Sequence, residues 1–262
     1  MTTASWGDLW VRITSGVVLA AVGLGAVFYG GVLFSLFIAV VCTAMLWELC
    51  KISGQGDLTA IALAAVLGAY LLFQPDTLIA LLMLGVPIIG ATLLASGNRG
   101  FVFAFTILIT VAGLVMQYLR IDLGLYWLMW VVLIVICTDM AGYFAGRFFQ
   151  GPKFWPSISP KKTWSGIVAG WISAAAIGWL FAQQNAGLLV IISALISFAS
   201  QMGDIAESAL KRRFGVKDSS NLIPGHGGFL DRFDAMIAAC IIVGIVVIVA
   251  PDVFQAFLEG SA

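Results

Sequence analysis

Apolar residues in this chain come in long unbroken runs, not in the alternation of a half-buried strand or the narrow stripe of a surface helix. A bilayer core takes about 20 mostly apolar helical residues, and about 17 at the least. On that ruler the chain divides into nine spans, at 12–30, 32–50, 58–74, 77–95, 101–119, 123–147, 165–182, 188–211 and 234–257. Turn formers or charges separate them: Gly30-Gly31, Gly54-Gln55-Gly56, Gln74-Pro75-Asp76, Gly97-Asn98, Arg120, the stretch 148–164, Gln183-Gln184-Asn185 and the stretch 212–233. The expected fold is all-α, a polytopic integral membrane protein. Residues 1–122 read as a scaffold of five helices and 123–262 as a region of four helices that carries the chemistry, joined in one integrated membrane domain.

Composition agrees. Hydrophobic residues make up 61% of the chain and charged residues 10%, whereas soluble domains carry about a quarter charged residues. A formal net charge of zero offers nothing to nucleic acid, so polar partners must be met at a local site. Cys42, Cys50, Cys137 and Cys240 lie in or beside apolar runs without the close pairing of a zinc or disulfide framework, and read as small buried hydrophobes. The first apolar run lacks a clear cleavage site and precedes many further spans, so it reads as an anchor and not as a signal peptide. The 29 glycines suit close helix packing. No internal repeat is evident.

Charge supplies a check on topology, because short cytoplasmic loops collect Lys and Arg. With nine spans, one face receives Arg12, Lys51, Arg99, Arg147, Lys153, Lys161, Lys162, Lys211, Arg212, Arg213, Lys217 and Arg232, and the other receives only Arg120. The N-terminus is therefore expected in the cytoplasm and the C-terminus outside. The first five spans carry few ionisable groups beyond Glu48 and read mainly as scaffold.

Polar residues gather in three places on the expected cytoplasmic side. Span six ends with Asp139 and, eight residues on, Arg147; a helix puts them on one face about 12 Å apart, too far for a direct salt bridge. An Asp inside a span costs roughly 2.5–3.5 kcal/mol to insert, so one that persists is expected to face a watery cavity; the plainer reading is an acid that helps packing beside an interfacial Arg. The next loop, Ser157 to Gly166, sets Lys161 and Lys162 among the hydroxyls of Ser159 and Thr163 just before a helix start. That combination suits phosphate, although an ordinary basic loop would look the same.

The densest cluster begins in span eight, where Asp204, Glu207 and Lys211 follow an i, i+3, i+7 rhythm and so share one face. A solvated helix end accounts for Lys211, Arg212 and Arg213 but not for two acids set a turn or more inside. Lys217-Asp218 and then Pro224-Gly225-His226-Gly227-Gly228 follow, with Asp231, Arg232 and Asp234 at the start of span nine. Glycines around the only histidine let backbone approach a ligand closely; a structural role for His226 is the plainer alternative. Carboxylates from the two helix ends would meet across this hairpin and bind hard cations such as magnesium, with Asp204 and Asp231 as principal ligands and Glu207 and Asp234 beside them. Oxygen ligands without paired cysteines argue against zinc.

From Ser208 to Asp234 the chain resembles the signature of the phosphatidate cytidylyltransferase (CDP-diacylglycerol synthase) family: serine, Lys-Arg, Lys-Asp, Pro-x-His-Gly-Gly and Asp-Arg-x-Asp. Ser159 to Thr163 match its Ser-Pro-Lys-Lys-Thr segment, and Asp139 to Arg147 loosely match a third, with Gly142 inserted between Ala141 and Tyr143. The matches cover about 139–235. Two departures stand out: Ser165 where the family usually has Glu, and Ala235 where it usually has Ser.

The resemblance implies that CTP and phosphatidate react to CDP-diacylglycerol and pyrophosphate at a bacterial cytoplasmic membrane, with the site facing the cytoplasm. It implies magnesium, as one divalent ion or two, leaves potassium open, and implies a homodimer. In that reading Asp204, Asp231, Lys211 and His226 are catalytic, and Lys161, Lys162, Arg212 and Lys217 hold phosphates with help from Ser159, Thr163, Asp139 and Arg147. Arg232 orients an acid or meets the lipid head group. Two rivals remain at this point: a CTP-dependent enzyme acting on another lipid, such as a polyprenol or phytol kinase or an isoprenoid-lipid cytidylyltransferase, and an ion-coupled transporter. A pure membrane scaffold would not require acids grouped beside phosphate-binding residues.

Overall fold

The computed structural model describes residues 6–75, 77–182 and 186–254. Among them lie nine helices: α1 (Trp6–Tyr29), α2 (Gly31–Ile52), α3 (Asp57–Phe73), α4 (Thr77–Leu94), α5 (Arg99–Ile121), α6 (Leu125–Phe148), α7 (Trp164–Phe181), α8 (Ala186–Arg213) and α9 (Leu230–Val249). Eight of these have the length and apolar composition to cross a membrane, and α3, at 17 residues, is the shorter apolar one. The chain is the all-α polytopic membrane protein its apolar runs foretell. One element was not foretold: Lys153–Trp155 (β1) pairs antiparallel with Ser159–Thr163 (β2) inside the stretch read as loop. Asp76 and the break at Gln183-Gln184-Asn185 lie outside the described residues, as do 255–257 of the ninth span.

The ninth helix departs from expectation, starting at Leu230 instead of 234 and ending at Val249, ahead of Pro251. Hydropathy reads the charged pair Asp231-Arg232 as loop. Here those residues form the first turn of a helix whose amides are capped by acids, as described below.

The chain divides into two compact units, one of 1–121 with 210–233 and the other of 122–209 with 234–262. Sequence alone groups 210–233 with the C-terminal region; by its contacts that segment packs within the first unit.

In the first unit, α2 packs on α1, α3 and α5, and α4 on α3 and α5. Lipid gives helices no hydrophobic reason to associate, so close approach of backbones must supply the attraction. Gly113 of α5 shows this: a Cβ there would stand 2.9 Å from Cys42 Sγ and 3.0 Å from Leu71 Cδ1. Outward, Leu78, Leu81, Leu82, Ile89 and Leu93 of α4 are exposed, a surface fit for acyl chains and not for water. Arg120, the one basic residue on the wrong face in the charge count, has a local duty. Its guanidinium donates to the carbonyls of Val27 at 2.7 Å and Phe28 at 3.1 Å, satisfying the last turn of α1.

In the second unit α6 and α7 meet backbone to backbone, since a Cβ on Gly166 would lie 2.6 Å from the Gly142 carbonyl oxygen. Across from α8, buried Trp130 donates to Ser193 at 3.1 Å and buried Thr138 to Ser197 at 2.8 Å. Trp127, Trp130 and Phe254 stack edge to face in the same core.

Candidate active site

Polar chemistry in the second unit centres on a cavity of about 490 Å³ between α6, β2, the start of α7 and α8. The local sequence builds it. β2 runs directly into α7, and the Thr163 side chain caps that helix by accepting the Gly166 amide at 3.3 Å. Gly142, Gly146 and Gly166 keep the α6 and α7 backbones close along its wall. The result sets Lys161 and Lys162 beside a helix N-terminus, whose unpaired amides favour an anion.

Lys162 is half-buried and engaged: its ammonium donates to Asp204 Oδ2 at 2.6 Å and to the Gln201 carbonyl at 2.9 Å. Lys161 is exposed and lines the same cavity. Asp139 and Arg147 line it too, and Arg147 donates to the Tyr143 hydroxyl at 2.8 Å. Ser159 lies at the other end of β2, paired with Trp155. Farther along α8 Glu207 is buried, and Asp234 accepts the Ala235 amide at 2.9 Å. The two departures from the family pattern are readable: Ser165 donates to the Gln150 carbonyl and so ties the turn before β1 to α7, and Ala235 is buried on α9.

The first unit holds the glycine-histidine loop. Lys211 pairs with Asp231 at 2.7 Å, with side chains 16% and 5% exposed. The other Asp231 oxygen accepts the Ser219 amide at 2.9 Å, the Ser219 hydroxyl at 2.8 Å and the Gly228 amide at 2.7 Å. Gly225 and Gly227 adopt φ of 74° and 88°, a region that other residues avoid. The His226 carbonyl accepts from the Arg232 guanidinium at 3.0 and 2.6 Å, and its ring Nδ1 lies 2.9 Å from the Ser15 hydroxyl of α1. Arg232 therefore holds the loop's own backbone. Arg212 and Lys217 are exposed nearby in the chain.

Several contributors escaped the sequence reading. Gln201 braces the cavity by accepting from Trp171 at 3.0 Å and donating to the Ile167 carbonyl at 3.2 Å. Tyr143 and Thr138 line it. In the first unit Ser15 and Glu48, both from helices read as scaffold, grip the loop. An acid set inside an apolar run was the available signal for Glu48. An apolar groove of about 570 Å³ also lies between α2 and α3, lined by small residues such as Ala64, Ala65 and Gly68 and reaching Leu222 of the loop.

Among the described residues no three His, Cys, Asp or Glu side chains gather closely enough to cage a metal ion. The donors that do face the second unit's cavity, the carboxylates of Asp139 and Asp204, are hard oxygen ligands. Magnesium is typically held by one or two carboxylates together with substrate phosphates, so this donor set fits it and would not suit a soft metal.

These features are those of a multi-pass membrane protein with a cavity that sets lysines and carboxylates beside a helix N-terminus. The profile of the cytidylyltransferase family matches residues 10–250, and the chain belongs to that family and is a nucleotidyltransferase. It is 37% identical over 245 residues to a phosphatidate cytidylyltransferase of Brucella suis, covering 88% of this chain and 90% of that protein. It is 35% identical to one of Brucella abortus, covering 95% and 97%, and 31% identical to one of Staphylococcus saprophyticus, covering 86% and 94%.

Proposed function

We propose that this chain transfers the cytidylyl group of CTP to phosphatidate, giving CDP-diacylglycerol and diphosphate for phospholipid synthesis. The observation that carries the reading is the Lys162–Asp204 pair in a cavity at the start of α7, within a membrane protein similar along most of its length to phosphatidate cytidylyltransferases.

A phosphate monoester has a second pKa near 6 and carries roughly −1.5 to −2 charges at neutral pH. The phosphatidate oxygen is thus already a nucleophile, and it attacks the α-phosphorus of CTP as the bond to the β-phosphate breaks and diphosphate leaves. The protein's task is to bring two anions together and stabilise the charge that develops. Lys161, Lys162 and Arg147 supply cations at one cavity, and Lys211, Arg212 and Lys217 are assigned to phosphate as well. Asp204, with Asp139 beside it in the cavity, would hold magnesium, and Asp231 is kept as the second principal acid that the sequence motif suggests; bound there, magnesium would neutralise the triphosphate and stabilise the departing diphosphate. Each principal acid faces a lysine, which holds its charge in balance until phosphate and cation arrive. His226 donates to a phosphate oxygen. The groove beside Leu222 suits an acyl chain of the lipid.

The excess of basic residues on one face supports a site turned toward the cytoplasm, where CTP is available, and the family resemblance supports the bacterial cytoplasmic membrane. A homodimer follows from the family resemblance. The test is a CTP-dependent assay of purified protein across phosphatidate, undecaprenol, dolichol-like and archaeal-type lipids, with and without a divalent cation. Turnover of phosphatidate alone, dependent on the cation, is expected. Phosphorylation of a polyprenol, or lipid-independent solute flux in vesicles, would replace the reading.

A further inference from the structure

We propose that Glu48, on a helix that reads as scaffold, is a positioning residue for the transfer reaction, holding the glycine-histidine loop in register. The inference rests on the reading of the chain as a phosphatidate cytidylyltransferase. Glu48 is fully buried, four residues from the end of α2. Its carboxylate grips both ends of the loop. Oε1 accepts the Ser220 hydroxyl at 2.5 Å and the Phe229 amide at 2.9 Å, while Oε2 accepts the Ser219 hydroxyl at 3.1 Å and the Leu230 amide at 2.7 Å.

Three features make this more than a stray buried acid. Phe229 and Leu230 are the residues at which α9 begins, so the carboxylate caps another helix's N-terminus, where orphan amides and the helix dipole both favour a negative charge. Ser219 lies within hydrogen-bonding distance of both Glu48 and Asp231, at 3.1 and 2.8 Å, so the two acids share one donor and the placement of one constrains the other. Gly228 completes the fit, because a Cβ there would collide with the Ser219 hydroxyl and with Glu48 Oε1. Moving the carboxylate therefore moves the loop between its two anchors, and with it His226 and Asp231.

Glutamine at this position keeps the shape but replaces one acceptor oxygen with an N–H₂ group. Whichever way it turns, that group faces a backbone amide that cannot reverse. Glu48→Gln is expected to lower kcat at least 30-fold and to raise the magnesium concentration for half-maximal activity at least threefold, while the variant stays monodisperse and keeps its thermal midpoint within a few degrees. Amide exchange at 228–231 is expected to accelerate. A merely structural acid would leave the magnesium midpoint of the surviving enzyme unchanged, and that result overturns the proposal, as does wild-type kcat. Should Glu48→Gln fail to fold, the double variant Ser219→Ala/Ser220→Ala strips two donors and leaves both amides; at least a fivefold loss of kcat is expected, and wild-type kcat overturns the proposal. If the wild-type protein itself fails to convert CTP and phosphatidate, it is the functional reading that falls.

Discussion

Lys162 and Asp204 are joined by one short contact, and removing them singly and together separates what the pair does for the fold from what it does for the reaction. The ammonium and carboxylate are 2.6 Å apart, with side chains 22% and 29% exposed. At an effective dielectric near 20, opposite charges about 4 Å apart attract by about 4 kcal/mol, and desolvation offsets part of that. Losing Lys162 alone leaves Asp204 as an unanswered charge, so Lys162→Met is expected to destabilise by about 2 kcal/mol. Asp204→Asn keeps an oxygen to accept from the ammonium and is expected to cost about 1 kcal/mol. The double variant should cost about 2 kcal/mol less than the sum, because neither change then strands a charge. Activity should not follow that pattern. A charged hydrogen bond to phosphate contributes about 1.5–3 kcal/mol, which is roughly 10- to 150-fold in kcat/KM for CTP on losing Lys162. Asp204→Asn is expected to abolish turnover, and the double variant to remain inactive despite its recovered stability. Unfolding titrations in mixed micelles and a radiolabelled CTP assay supply the two readouts. Recovery of activity in the double variant would reduce the pair to a structural bridge and refute the reasoning.

Two further outcomes bear on other parts of the molecule. Arg120→Met removes donors from the last turn of α1, so a loss of about 1 kcal/mol in stability is expected with kcat for CTP unchanged; thermal unfolding and the same assay check it. Ala65→Phe fills the groove between α2 and α3, and is expected to raise KM for long-chain phosphatidate at least fivefold relative to a short-chain analogue while leaving KM for CTP alone. Equal effects on both lipids would remove the acyl chain from that groove.

Much of the architecture was legible because lipid imposes a simple rule: backbone polar groups in a bilayer must be satisfied within the segment, so apolar runs of the right length become helices. Nine runs predict nine helices, and nine lie among the described residues. The start of α9 was misread for a reason the rule does not contain. Asp231 and Arg232 are polar enough to look like loop, yet they sit in a first turn whose preceding amides are taken up by Asp231 and by Glu48 from α2. The hairpin of β1 and β2 escaped in the same way, since three and five residues are too few to carry a period.

The sequence alone determined which residue types exist for chemistry and which segments lie in the bilayer, because both follow from composition and local spacing. It marked the acids, the lysines and the glycine-histidine loop. Only the tertiary structure decided the pairings: Lys162 with Asp204, Lys211 with Asp231, Ser15 with His226, and Glu48 with the start of α9. Those partners lie from 20 to 211 positions apart in the chain. Local periodicity relates only near neighbours on one helix, so it could name the charges but not say which one each would answer.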